Sequence, residues 1–88
     1  MADLARLKAG AFVVVGRAGM DFYADPPGTR LAEAGTFTAS LGGSSANIAA
    51  GLVRLGQRAD LVTCVSDDAI GDFALAQLDH YGVGRAHV

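Results

Sequence analysis

The stretch that most restricts the fold of this chain is AFVVV at residues 11–15. Three consecutive valines leave no room for one wet and one dry face, which is the pattern of a parallel strand covered on both sides. Residues 59–65 (ADLVTCV) read as a second buried strand, and a helical pattern lies between the two. A strand, a helix and another strand imply parallel pairing through a right-handed crossover, hence an α/β architecture of helices layered on a sheet. Two helices cannot cover both faces of such a sheet, so this order also predicts a larger parent domain.

The intervening helix belongs to the stretch LGGSSANIAAGLVRLG at residues 41–56. Gly42 and Gly43 carry no Cβ, so a ligand or another backbone can approach closely there, and they reach dihedral angles closed to other residues. Ser44 or Ser45 is expected to cap the helix. Ile48, Leu52 and Leu55, at i, i+4 and i+7, are expected to form its core stripe, with Asn47, Gly51 and Arg54 on the other side and Gly56 as a left-handed stop. A second helix is predicted over residues 69–81, capped from Ser66-Asp67-Asp68, striped by Ile70, Ala74, Leu78 and Tyr81, and ended by Gly82. Residues 85–88 begin a further strand, and Leu4 and Leu7 suit one helical turn in the lead-in over residues 1–10.

Between the first strand and the first helix, residues 36–41 alternate Thr, Phe, Thr, Ala, Ser, Leu. Phe37, Ala39 and Leu41 point one way and Thr36, Thr38 and Ser40 the other, the pattern of a half-buried strand. Paired with residues 22–24 it would make a small antiparallel flap, separated by the turn Asp25-Pro26-Pro27-Gly28.

Composition removes several classes of function. The chain has 88 residues, enough for one small domain or a piece of one, and 51% hydrophobic residues suffice for a modest core. Only 18% are charged and the net charge is −2, with no basic cluster, which excludes nucleic acid and anionic membrane as partners. No apolar run approaches the roughly 18 to 20 residues of a membrane span or resembles a signal peptide, so a cytoplasmic protein is expected. Cys64, the single cysteine, reads as a buried core thiol. His80 and His87 have no companions at metal-ligand spacing, so no metal site is expected.

The first strand runs into Gly16-Arg17-Ala18-Gly19-Met20-Asp21. Glycines at the carboxyl end of a buried strand mark where open α/β sheets bind ligands, and Asp21 is expected between that strand and a loop. The spacing lacks the third glycine of a dinucleotide fingerprint, and no phosphate-cradling G-x-x-x-x-G-K-[ST] is present.

LGGSSANIAAGLVRLG resembles the amino-terminal signature of the ribokinase-like (PfkB) carbohydrate kinases, and further matches follow in order. FVVVGRAGMD is similar to the family's first strand and its aspartate, TFTASLGG to its flap strand, and SDDAIGD to its later aspartate pair. GRAGMDFY with a Pro-Gly turn and GGSSANIA is most similar to the members that phosphorylate 5-dehydro-2-deoxygluconate in inositol breakdown. The resemblance implies a three-layer α/β/α fold with a small β lid within about residues 20–41, and ATP-dependent phosphorylation of a sugar or sugar acid. It implies that Asp21 accepts hydrogen bonds from substrate hydroxyls, that Gly42 and Gly43 admit the sugar, and that Asn47 bonds another hydroxyl. A local helix-start hydrogen bond is the alternative for Asn47.

Two departures from the family pattern stand out. Gly19 replaces an asparagine common in ribose-type members, which disfavours plain ribose, and Ser66 replaces the glycine of a Gly-Asp-Asp. The family's Gly-Ala-Gly-Asp motif, with its catalytic aspartate, has no counterpart among these residues. The expectation is therefore an amino-terminal portion over residues 1–88, with no catalytic residue of its own and with the sites for ATP and Mg2+ elsewhere. A homodimer through the lid is implied for the complete protein. The competing class is a non-catalytic α/β module that holds an anion or small polyol at the same glycines and helix start.

Overall fold

A computed structural model describes residues 10–88, so the helical turn expected around Leu4 and Leu7 lies outside the described residues. Three parallel strands form the main sheet in the order β1 (Phe12–Val15), β4 (Ala59–Val62), β5 (Gly84–His87). Phe12 stands opposite Ala59 and Val15 opposite Val62, and the Gly16 amide extends the ladder by donating to the Val62 carbonyl at 3.2 Å. Helix α1 (Ser44–Arg54) connects β1 to β4, and α2 (Ala69–Tyr81) connects β4 to β5. Crossovers of one hand that step the same way along a sheet leave their helices on one face. The core agrees: Ala46, Ala49 and Ala50 of α1 and Leu78 of α2 pack together with Ala59 and Leu61 of β4.

The face of α1 that meets the sheet is made of small residues. Ala46, Ala49 and Ala50 recur at helical spacing and are buried, while Ile48 and Leu55, expected in the core, are 56% and 80% exposed. Only Leu52 of the expected stripe packs against the core. Alanines win that face because they let the helix lie close to the sheet, which pins its first turn against the end of β1; hydropathy periodicity weights Ile and Leu above Ala and rotates the stripe away from the true contact.

Among the described residues strand β1 lies at an edge of the sheet, and it is far less covered than its sequence suggests. Val14 packs against the core, but Val15 is 73% exposed and Phe12 and Val13 are also open, because among the described residues no helix lies on the second face. Central β4 is the buried strand, with Leu61 fully enclosed. Its Asp60 is buried too, with the carboxylate over Gly84, where a Cβ would lie 1.7 Å from Oδ1. Strand β4 stops at Val62, so Cys64 falls in the following loop and is exposed rather than a core thiol.

Helix α2 follows the sequence closely. Asp68 caps it, accepting from the amides of Ile70 and Gly71 at 3.0 Å each, and Gly82 ends it at φ +76°. Ala74 and Leu78 are buried as expected, whereas Ile70 is exposed. Gly71 is required by a close approach, since a Cβ there would sit 1.6 Å from the Ser66 carbonyl oxygen.

The flap is an antiparallel pair, β2 (Gly19–Asp25) with β3 (Thr36–Gly42), and a 3-10 turn (Leu31–Glu33) lies in its connection. Gly19 opposes Gly42, Asp21 opposes Ser40 and Asp25 opposes Thr36. Only its root is buried, at Leu41 and Gly42; Phe37 and Ala39 are exposed, so the half-buried expectation holds at one end alone.

Candidate functional site

The residues singled out in the sequence converge where β1 ends, the flap begins and α1 starts. Helix α1 is not capped by a serine: its N-cap is Gly43, at φ +93° and without a side-chain cap bond. The serines lie inside the first turn, where the Ser45 hydroxyl donates to the Val15 carbonyl at 3.3 Å and stitches the helix to the strand. A Cβ on Gly16 would lie 1.8 Å from Ser45 Oγ, so the contact requires that glycine. One step further, the Ala46 amide donates to the Arg17 carbonyl at 3.3 Å.

The two glycines expected at the site have different duties. A Cβ on Gly43 would lie 2.4 Å from the backbone oxygen of Arg17, and its positive φ excludes side chains, so this glycine is required by the fold itself. A Cβ on Gly42 would meet the Asp21 carboxylate instead, 2.3 Å from Oδ1 and 2.7 Å from Cγ. Gly42 therefore opens the space in which that carboxylate rests.

Asp21 lies on β2 rather than in a loop, its side chain exposed. The regular pleat of a strand, rather than a flexible turn, sets its direction. Because partners across an antiparallel pair share a face, Asp21, Tyr23 and Asp25 lie on one side with Thr36, Thr38 and Ser40, while Phe22, Ala24, Phe37 and Ala39 occupy the other. The flap thus has a polar face continuous with Asp21 and an apolar face on which Phe22 and Phe37 meet edge to face at 6.2 Å. On the polar face the Tyr23 hydroxyl donates to Asp21 Oδ2 at 3.4 Å, and the Thr38 hydroxyl donates to Asp25 Oδ2. Tyr23 was legible in the sequence from its i+2 spacing to Asp21, once that segment is placed on a strand.

Asn47 takes the local bond foreseen as its alternative. Its Nδ2 donates to the Gly43 carbonyl at 2.9 Å, the carbonyl that also receives the Asn47 amide at 3.1 Å. One amide proton is committed there, and Oδ1 has no partner among the described residues. The structure brings Asp21 onto Gly42 and Asn47 onto Gly43, so the four residues singled out in the sequence form one neighbourhood.

Such an arrangement can bind hydroxyls. An ionised carboxylate offers about four acceptor positions, of which a long contact from Tyr23 occupies one. A polyol would fill the others. The described residues do not fit a metal or a triphosphate: no group of three His, Cys, Asp or Glu converges among them, and no glycine-rich phosphate loop with its lysine is present.

Comparison with known proteins gives the same direction. Residues 10–88 match the family described as pfkB family carbohydrate kinase. The chain is 38% identical over 71 residues to a 5-dehydro-2-deoxygluconokinase of Photobacterium profundum, covering 81% of this chain and 22% of that protein. Its fold superposes on a 2-dehydro-3-deoxygluconokinase from Thermotoga maritima with a TM-score of 0.81 at 28% identity, over 88% of this chain and 23% of that one. An uncharacterised sugar kinase from Pyrococcus horikoshii, solved with ATP, gives a TM-score of 0.78 at 26% identity over 86% of this chain and 25% of that one. The chain thus spans about a fifth of the length of the curated relative it matches, at 22%.

Proposed function

From the premise that this chain belongs to the pfkB family of carbohydrate kinases and has their ribokinase-like α/β fold, we propose that it supplies the sugar-facing wall and lid of an ATP-dependent sugar-acid kinase. The observation that carries this reading is the Asp21 carboxylate resting in the space left by Gly42, at the carboxyl end of β1, with the polar face of the flap running on from it. Sugar hydroxyls donate to Asp21, and the backbone at Gly42 and Gly43 forms the floor. Asn47 holds the Gly43 carbonyl with one proton and offers Oδ1 to a further hydroxyl. Phosphoryl transfer depends on positioning and on charge stabilisation, and the first of these is the share of residues 10–88. Asp21 fixes the sugar, and the flap excludes water once it lies over the bound ligand. ATP with Mg2+ would supply the phosphoryl group and its charge neutralisation, and residues other than 10–88 would hold them.

The relatives named 5-dehydro-2-deoxygluconokinase support the sugar-acid assignment, and a cytoplasmic place in inositol breakdown is part of the same proposal. Among the described residues no helix is long and apolar enough to cross a membrane. Neutral and acidic sugars, offered with ATP and Mg2+ to the full-length protein carrying this chain, test the reading through ADP release. Release dependent on a sugar acid is expected. Asp21→Ala should lower kcat/KM by the equivalent of about 1.5 to 3 kcal/mol, the range for a hydrogen bond to a charged group, with the melting temperature little changed. An unaltered kcat/KM in that variant removes Asp21 from the site.

A further inference from the structure

Resting on the sugar-acid reading above, we propose that Arg17 is the specificity residue that receives the substrate carboxylate, opposite the hydroxyls held by Asp21. A sugar acid brings a negative charge into a site whose Asp21 already bears one, so a cation must compensate it at some distance from that aspartate.

Five arginines fall among the described residues, at positions 17, 30, 54, 58 and 85, and four are committed or remote. Arg30 pairs with Glu33 at 4.0 Å, and Arg85 pairs with Asp79 at 2.7 Å. Arg54 ends α1, ten residues beyond Ser44, a distance of about 15 Å along the axis. Arg58 lies at the far end of the sheet, since its carbonyl receives the Phe12 amide at the start of β1, about 13 Å along the strand from the site.

Arg17 is the one whose backbone belongs to the site. Its carbonyl abuts Gly43, where a Cβ would lie 2.4 Å away, and is fixed by the Ala46 amide. Its side chain is exposed and makes no ion pair or side-chain hydrogen bond among the described residues. The Asp21 carboxylate rests on Gly42 and the Arg17 backbone carbonyl abuts Gly43, so the two charged residues are rooted at adjacent glycines, and no ion pair joins their side chains. A ligand with hydroxyls at one end and a carboxylate at the other complements that pair, and a guanidinium meets a carboxylate with two parallel donors.

The test measures initial rates of the full-length protein with ATP on 5-dehydro-2-deoxygluconate and on the primary amide of the same acid, which keeps the shape and loses the charge. In Arg17→Met, KM for the acid should rise about 10- to 100-fold, with kcat within a few-fold and the amide nearly unaffected. Arg17→Lys should fall between, since a point charge replaces the bidentate fork. As a second readout, the acid without ATP should raise the melting temperature of the wild type and not of Arg17→Met. Equal losses for acid and amide in Arg17→Met, or a wild type that treats the two alike, overturns the assignment and leaves the kinase reading standing. A wild type that phosphorylates neither, yet is stabilised by the acid through Arg17 alone, refutes the kinase reading and upholds the carboxylate site.

Discussion

The parallel core and the flap are held together differently. In the core, Leu61 is completely enclosed by residues from both helices, and α1 is stitched to β1 by the Ser45 and Ala46 bonds. In the flap, Phe22 and Tyr23 are 60% and 59% exposed, and among the described residues, apart from the strand ladder and the buried root at Leu41, the two strands are joined by one aromatic contact and one side-chain bond, from Thr38 to Asp25. Rigidity is thereby concentrated beneath the site and withheld from the element above it. Regions with few buried apolar contacts open at low free-energy cost, which suits a segment that must admit and then cover a ligand. Asp21 sits at the junction, on the flap strand but at its anchored root, beside buried Gly42.

The sharpest way to break this contrast is a cavity in the core. Leu61→Ala should cost about 2 to 5 kcal/mol of stability, read from urea unfolding of the full-length protein. A loss below about 1 kcal/mol there would show that the core is no tighter than the flap.

The glycine pair sharpens the comparison at the junction. Gly43→Ala forces a side chain into a positive φ and against the Arg17 backbone, with an expected cost of about 1 to 3 kcal/mol. Gly42→Ala meets only the movable Asp21 carboxylate and should instead raise KM with little change in melting. From sequence alone, bulk at Gly43 threatens ligand binding first; the structure reverses that order, because the obstacle is backbone. Equal thermal losses in the two variants would cancel the distinction.

In the flap, Phe37→Ala removes the edge-to-face partner of Phe22 on an exposed surface. The expected loss of global stability is about 0.5 kcal/mol, toward the low end for an aromatic pair. Faster amide exchange confined to residues 19–42, against an unchanged core, is the signature that the flap opens independently.

The smallest effect is one of pH. Ser66 donates to Asp68 at 2.5 Å, and with the Gly71 and Ile70 amides it holds the Asp68 carboxyl below the ordinary value of 3.8. A depressed folded-state value means that the ionised cap stabilises the protein above the unfolded value, and that this contribution fades as pH falls through the folded one. Wild type and Asp68→Asn should therefore differ most above pH 3.8 and converge in stronger acid, seen as merging melting temperatures. A gap constant from pH 6 down to about 2 would remove the titration of Asp68 as its cause.

Local signals fixed much of this protein before any fold was known. The span of α2, a cap from within Ser66-Asp67-Asp68 and the Gly82 stop follow from capping chemistry, which acts within a few residues, and the structure selects Asp68. The faces of β3 follow from period-two alternation, and the neighbourhood of Asp21, Gly42, Gly43 and Asn47 from motifs in order along the chain. What depended on contacts between distant segments had to wait for the tertiary structure. Alanines rather than Ile48 and Leu55 face the sheet because helix-to-sheet distance decides that contact, and β1 is open among the described residues because no helix of theirs lies on its second face. Gly42 and Gly43 stand side by side in the sequence and look interchangeable there. Only the return of β1 and β2 against them gives one a carboxylate to accommodate and the other a backbone carbonyl to clear.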